Sequence, residues 1–132
     1  DMASHRGAVR AALREAVGFC EGGKRAGENS AVERPYLTVG TIEPRKNHVL
    51  LVDAFERIWQ RYPDARLLIV GRVGWLCESL VKRIRQHRQY RRSLFMFNDL
   101  SDSELEFCYR HAKAFLFPSS QLGLLCMARL IP

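Results

Sequence analysis

Four short apolar runs recur in the chain, and a longer segment with apolar residues at helical spacing separates each run from the next. The runs are YLTVG at 36–40, RLLIVG at 66–71, SLFMF at 93–97 and AFLF at 114–117. Alternating strands and helices with short connections predict parallel strands joined by right-handed crossovers. We therefore expect an α/β fold, a Rossmann-like three-layer α/β/α arrangement with a parallel sheet.

The apolar spacing predicts helices over residues 3–19, 46–62, 75–90 and 101–111. Ser101 and Glu104 have the spacing of a capping box, so the start of the last helix is the best defined. Pro118 is expected to end the fourth strand, because proline cannot donate to a strand ladder. The side chains expected to face inward from the third helix are Leu76, Leu80, Val81 and Ile84.

The segment 21–34 is rich in glycine, polar and charged residues and lacks an apolar period, which predicts a flexible linker. We divide the chain into an N-terminal helix at 1–20, this linker, and a Rossmann-like domain at 35–132. The 132 residues fit one compact domain. Because the chain does not begin with Met, we expect it to be a piece of a longer protein.

The composition indicates a folded protein and argues against membrane-spanning, zinc-binding and disulfide-bonded classes. Apolar residues make up 47% of the chain, enough for a core, yet no stretch is long enough to span a membrane. The four cysteines lie more than four residues apart, so the spacing of a zinc site is absent, and we expect no metal. Without a secretory signal we expect reduced, mostly buried thiols in a cytoplasmic protein.

The net charge of +7 comes almost entirely from one segment. Residues 82–92 (KRIRQHRQYRR) carry six Lys or Arg and no acid. Such a run is usually the solvated face of a helix. The alternative is peripheral contact with the inner face of a membrane, since anionic lipid attracts basic residues. Tyr90 is the only aromatic residue in the segment, so nucleic acid is not expected as a partner.

The loop GTIEPRKN at 40–47 places Arg45 and Lys46 beside a predicted helix start, with Asn47 as the expected N-cap. Cations there oppose the helix dipole, unless an anion binds between them and the free N–H groups of the first turn. Gly40 would let the backbone turn and a ligand approach closely. The alternative is a pair of solvated loop charges.

Other charged and aromatic residues, in this loop and beyond it, are expected to have simpler roles. Glu43 is expected to form an ion pair with a nearby cation rather than to act in catalysis. His48 is expected to be a surface histidine in the first helical turn. Trp59 and Trp75 are expected to pack in the core or at its rim.

The chain resembles the C-terminal half of a retaining, GT-B-fold glycosyltransferase of family 4. The resemblance lies in the strand–loop–helix order and in the sequence and spacing of three segments: YLTVGTIEPRKNHVLLVDAFERI, PDARLLIVGRVGW and LSDSELEFCYRHAKAFLFPSS. The resemblance covers about residues 35–120. It implies a donor-binding domain for a nucleoside-diphosphate sugar, with no cofactor and no metal. It also implies a glycan or lipid-linked acceptor in the full enzyme. The likeness of TIEPRKN to bacterial mannosyltransferases implies GDP-mannose and a role in polysaccharide synthesis.

The resemblance also implies which residues hold the donor. Lys46 matches the lysine that contacts the donor diphosphate, with Arg45 beside it. Gly40 and Thr41 belong to the same diphosphate loop, and many members have an arginine where Thr41 stands.

Further positions are implied for the rest of the donor. Gly71 matches the glycine that closes the second strand near the nucleotide. Asn98, Asp99 and Leu100 match the loop beside the base. Ser119 matches a serine near the donor sugar.

The tail departs from the family pattern. The family has two carboxylates that bind the donor sugar and the ribose, but Leu122 and Leu130 stand at the matching positions. We therefore expect no catalytic residue and no activity from this chain alone. A domain missing or altered after about residue 120 would be an incomplete half of a GT-B fold. A truncation, a frameshift or a sequence error would each explain it. An exposed edge or apolar face would favour a homodimer.

Two other hypotheses remain. The first is a non-catalytic Rossmann-like module that binds phosphate or an anionic surface through its basic helix. The second is another doubly wound protein, such as a dehydrogenase or a receiver domain. The second is disfavoured because no G-x-G-x-x-G follows a strand. A receiver domain would also need clustered acids at its strand ends, whereas this chain has the adjacent cations Arg45 and Lys46 there.

Overall fold

A computed structural model of the chain describes residues 2–18, 34–119 and 124–130. A 3₁₀ turn, Pro44–Lys46, lies between the first strand and the second helix. In chain order the other elements are α1 (Met2–Ala16), β1 (Tyr36–Val39), α2 (His48–Arg61), β2 (Leu67–Val70), α3 (Glu78–Arg85), β3 (Leu94–Phe97), α4 (Asp102–His111), β4 (Ala114–Ser119) and β5 (Leu124–Leu130). The predicted linker at 21–34 lies, except for Arg34, outside the described residues.

The strands form one sheet in the order β3-β2-β1-β4-β5. The pairs β1–β2, β2–β3 and β1–β4 are parallel, as the sequence predicts. The four predicted strands are parallel, and a fifth strand, β5, pairs with β4 in the antiparallel direction. The tail that forms this strand was not predicted to be a strand at all.

The sheet is covered by helices on both faces, which confirms the three-layer prediction. Leu67 and Ile69 of β2 pack in one core cluster with side chains of α2 and α3. Leu68 and Val70 pack in a second cluster with side chains of α1 and α4. Successive side chains of a strand point to opposite faces, so β2, which is covered on both sides, is apolar at all four positions.

The N-terminal helix shares the core of the sheet. Leu13 and Ala16 of α1 are buried in the second cluster. The Arg66 guanidinium also donates from the start of β2 to the carbonyl oxygen of Ala16, at 3.1 Å. The helix ends at Ala16, three residues before the predicted end. The proposed division of the chain into separate parts at 34/35 stays a prediction.

The helix α4 begins with the predicted capping box. The Glu104 N–H donates to the Ser101 hydroxyl oxygen at 3.3 Å, and the Ser101 N–H donates to the Glu104 carboxylate at 2.8 Å. Glu104 is only 5% exposed, and its carboxylate forms ion pairs with Arg6 and Arg10 of α1. One side chain thus caps α4 and joins it to α1.

Several local predictions are wrong. The helix α3 starts at Glu78 rather than at Trp75, so Trp75 and Leu76 lie in the preceding loop, where they are exposed instead of packed inward. Leu80, Val81 and Ile84 do face inward, as predicted. Pro118 does not end β4, which continues to Ser119. The strand β1 pairs only with the first two residues of β4. Pro118, which has no N–H, lies beyond these paired residues and is therefore tolerated in the strand.

Candidate functional site

The predicted donor residues lie at the ends of the parallel strands. Gly40 follows β1, Gly71 follows β2 and Asn98 follows β3, while Ser119 is the last residue of β4. The carboxyl ends of parallel strands meet at one edge, where such folds bind their ligands. The predicted donor residues therefore meet at one edge of the sheet, which we call the loop edge.

Gly40 and Gly71 are in direct backbone contact. A Cβ added at Gly71 would come within 1.8 Å of the Gly40 carbonyl oxygen, and Gly71 has a φ of 156°. Gly40 has a φ of 141° but open space around its Cβ position. Both positions favour glycine, and the contact leaves backbone rather than side chain exposed at the loop edge.

The third strand end is tied to the second by a side chain. The Asn98 amide donates to the Gly71 carbonyl oxygen at 2.8 Å, and the Arg85 guanidinium reaches the Asn98 amide oxygen at 3.4 Å. Asn98 thus holds the backbone around Gly71 in place. The structure brings Asn98 to the glycine pair, and its predicted place near the nucleotide base stays a prediction.

The next two residues of that loop turn toward the other face of the sheet. Leu100 packs against the second core cluster, and the Asp99 carbonyl oxygen accepts a hydrogen bond from Arg6 of α1 at 2.9 Å. The Asp99 carboxylate stays largely exposed, with the Arg6 guanidinium 3.9 Å away. Their predicted place beside a nucleotide base stays a prediction.

The cation loop folds as a compact turn. Pro44, Arg45 and Lys46 form the 3₁₀ turn, closed by a hydrogen bond from the Lys46 N–H to the Glu43 carbonyl oxygen at 3.0 Å. The Arg45 guanidinium lies 3.4 Å from the Glu43 carboxylate, which confirms the predicted ion pair. Thr41 is exposed at the start of the loop. The turn places both cations directly before α2.

Asn47 occupies the N-cap position of α2 but does not cap it. Its backbone is left-handed, with a φ of 58° and a ψ of 43°, and its side chain makes no capping hydrogen bond. The prediction of a side-chain cap is therefore wrong. The first N–H groups of α2 lack this partner, and an α-helix cannot satisfy those groups internally.

The cation loop and the loop after β2 are joined through Ile42. The Ile42 N–H donates to the Arg72 carbonyl oxygen at 2.8 Å, and the Gly74 N–H donates to the Ile42 carbonyl oxygen at 2.8 Å. The Cys77 thiol lies 3.2 Å from the same oxygen. Ile42 is fully buried, so the two loops are joined at the loop edge through a buried residue.

The hydrogen bonds between the two loops bring in a further cation, Arg72, which was not predicted from the sequence. Arg72 directly follows Gly71 and is exposed, and its backbone is bonded to the cation loop. Its position right after a strand-closing glycine was the available signal. Arg45, Lys46 and Arg72 therefore lie on the same joined pair of loops.

His48 is the least expected feature of the site. The sequence predicted a surface histidine, but His48 is 4% exposed, and its Nδ1 atom is buried without a hydrogen-bond partner. Burial, together with the nearby positive charge of Lys46, lowers the pKa of His48 to about 4. His48 is therefore a neutral, buried imidazole in the first turn of α2 near neutral pH. Its spacing to Leu51, Val52 and Phe55 could have revealed this burial.

Residues 2–18, 34–119 and 124–130 contain no group of three metal-ligating side chains that could hold an ion. Cys77 and Cys108 are buried free thiols, and burial raises the pKa of Cys108 to about 12. Cys20 lies outside the described residues. In the same described ranges, no helix is long and apolar enough to cross a membrane.

Comparison with known proteins agrees with this architecture. Residues 24–127 match the family described as "Glycosyl transferases group 1". Two relatives from Escherichia coli, each named "Serotype-specific mannosyltransferase WbdA", are 39% and 38% identical to the chain over 88 residues. The matched segment is 67% of this chain but only 11% of the length of each relative.

The family match covers most of the chain. The sheet of the chain has the strand order of a Rossmann-like fold. The chain belongs to the group 1 glycosyltransferases. Its four parallel strands and flanking helices are a Rossmann-like α/β domain of such an enzyme.

Proposed function

We propose that the loop edge binds the diphosphate of a nucleoside-diphosphate sugar. The observation that carries the proposal is the placement of Arg45 and Lys46 before the uncapped start of α2, next to the Gly40–Gly71 contact. Helix N–H groups, the helix dipole and cations then act on one anion. The glycine pair lets that anion approach the backbone.

The ion pair of Arg45 with Glu43 is compatible with this role. An ion pair between exposed side chains contributes about 1 kcal/mol or less, because water and salt screen it. A diphosphate carries more charge than a carboxylate and can accept from Arg45 and Lys46 together. The anion would therefore compete with Glu43 for Arg45 and would also relieve the unfavourable placement of two cations at a helix start.

The donor we propose is GDP-mannose. Two relatives are named mannosyltransferases, and the TIEPRKN loop is similar to that of bacterial mannosyltransferases. In the whole protein the sugar would pass, with retention, to a glycan or a lipid-linked acceptor. We propose that the chain alone is inactive, because leucines stand at the positions of both family carboxylates and cannot stabilise developing positive charge.

Isothermal titration calorimetry with GDP and with UDP tests the donor site. We expect GDP to bind more tightly than UDP, and Lys46→Gln to weaken GDP binding about tenfold by removing a charge-assisted hydrogen bond. Lys82→Gln is the matched control, since Lys82 is an exposed lysine of α3. Equal GDP affinity of the wild-type protein and Lys46→Gln would contradict the proposal.

A second function, a non-catalytic module that binds anionic surfaces, is favoured by the exposed cations of the basic segment. It predicts that heparin binds, that binding collapses with added salt, and that Lys82→Gln weakens it while Lys46→Gln does not. The two lysine variants therefore separate the two functions in one set of titrations.

A further inference from the structure

The loop before α3 exposes large apolar side chains. Trp75 is 86% exposed, Leu76 is 78% exposed and Val73 is 40% exposed. We call these three residues the apolar tip. Two adjacent large apolar side chains so fully in water are unusual for a protein surface, and such patches mark contact with a partner.

The exposure of the tip is fixed by its surroundings. Leu76 has a φ of 58°, a conformation that a leucine rarely adopts, and it turns the chain outward just before the helix. The Cys77 thiol lies 3.3 Å from the Trp75 carbonyl oxygen and also contacts Ile42 of the cation loop. A Cβ at Gly74 would come within 2.9 Å of the Ile42 carbonyl oxygen, so the base of the tip is tightly packed.

The segment that follows the tip in sequence is cationic. No acidic residue occurs from residue 79 to residue 98. Arg83 is bound by Asp53 and Glu56 of α2, and so it is largely neutralised. The remaining cations of the basic segment are exposed: Lys82, Arg85, Arg88, Arg91 and Arg92. The helix α3 leads to β3, which is an outer strand of the described sheet, so the helix and the turn after it lie towards one side of the domain.

We propose that the apolar tip and these cations dock this side of the domain on an anionic phospholipid bilayer. Trp75 and Leu76 would enter the headgroup region, where tryptophan is preferred, and the cations would contact lipid phosphates. A second copy of the chain fits less well, because a symmetric contact through this face would set the exposed cations of both copies against each other. The proposal goes beyond the donor site and does not depend on it.

Trp75 provides the readout for the test. The other tryptophan, Trp59, is buried and donates its indole N–H to the Ala65 carbonyl oxygen at 2.7 Å, so its emission should not respond to lipid. We expect a blue shift, and quenching by brominated lipid, with phosphatidylcholine vesicles that contain phosphatidylglycerol, and neither effect with phosphatidylcholine alone. Added salt should weaken the binding.

Vesicle sedimentation with variants separates insertion from charge attraction. Trp75→Ser and Leu76→Asn should each lower partitioning about tenfold, since a large apolar side chain no longer leaves water. Asparagine tolerates the left-handed backbone at position 76. Tyr62→Ser removes an exposed aromatic residue elsewhere and should change nothing. Lys82→Gln with Arg88→Gln should lower partitioning and reduce its salt dependence.

Three outcomes would overturn the proposal. One is unchanged Trp75 emission on anionic vesicles. Another is vesicle binding that persists in both tip variants but is lost in the cation variant. The third is a lipid-independent dimer, seen by analytical ultracentrifugation, that Leu76→Asn abolishes. Circular dichroism verifies that each variant is folded, and GDP titration of Leu76→Asn shows whether the donor site is intact, so the two proposals can fail separately.

Discussion

Gly71 lies against Gly40 so closely that a Cβ at Gly71 would come within 1.8 Å of the Gly40 carbonyl oxygen. The atom it would meet belongs to the backbone, which cannot rotate away as a flexible side chain can. The strand ends β1 and β2 therefore depend on a glycine at this position, and so does the geometry of the loops that carry the cations.

The first prediction is that Gly71→Ala destabilises the domain by more than about 2 kcal/mol, because a backbone clash adds to an unfavourable φ. Gly40→Ala should cost less, about 1 to 2 kcal/mol, since its φ is also unfavourable but space is open around it. Urea unfolding of the purified variants measures both.

Gly7→Ala is the control for these substitutions. Gly7 lies within α1, and nothing lies within 4 Å of its Cβ position. Alanine has the higher helix propensity, so this variant should be more stable than the wild type by about 0.5 to 1 kcal/mol. Equal costs at positions 71 and 40 would show that the contact between the two glycines does not matter.

The second prediction compares two Arg–Glu pairs. Arg6→Met removes a partner of Glu104, whose carboxylate is 5% exposed, and should cost about 2 kcal/mol because a buried charge loses its partner. Arg110→Met removes the exposed pair with Glu106 and should cost less than about 0.5 kcal/mol. Thermal unfolding measures both.

The comparison is decisive because both substitutions remove one arginine from a helix. A larger loss for Arg110→Met than for Arg6→Met would contradict the role of Glu104 as the link between α1 and α4.

The third prediction concerns pH. The pKa of His48 is about 4 in the folded protein, below its ordinary value of 6.5, so the unfolded chain binds the proton more readily. The free energy of unfolding should therefore be unaffected above pH 6.5 and should fall as the pH drops from 6.5 towards 4. The loss attributable to this one group is about 3 kcal/mol at most.

His48→Leu should remove this part of the pH dependence, with little loss at neutral pH, because the Nδ1 atom makes no hydrogen bond that leucine would break. His5→Gln, at an exposed position of α1, should leave the pH dependence intact. Urea unfolding at neutral and acidic pH tests this prediction. An unchanged slope in His48→Leu would mean that folding does not lower the pKa of His48.

Much of the fold was predictable because its signals are local. The apolar runs of the parallel strands reflect burial on both faces, as Leu67 and Leu68 show by packing on opposite sides. The capping box of Ser101 and Glu104 is likewise a local signal, because both residues lie within four positions of the sequence. The loop edge followed from the strand order, since ligand sites of this kind lie at the carboxyl ends.

The errors arose where distant contacts decide the backbone. Leu76 has helical spacing to Leu80, but Gly74 is bonded to Ile42, which is far away in sequence. Leu76 has a left-handed backbone, and the helix begins only after it. Pairing of β5 with β4 likewise depends on a contact between segments that periodicity does not reveal. By contrast, the burial of His48 was visible in its spacing to Leu51 and Phe55.

The most direct test of the donor site is an amide NMR titration of the ¹⁵N-labelled chain with GDP. The account predicts the largest shift changes at residues 40–48 and 71–74, smaller ones at 98–100, and none in α1 or in the basic segment 82–92. The changes should be much weaker in Lys46→Gln. Shift changes confined to 82–92, or unaltered by Lys46→Gln, would contradict the claim that the loop edge holds the diphosphate.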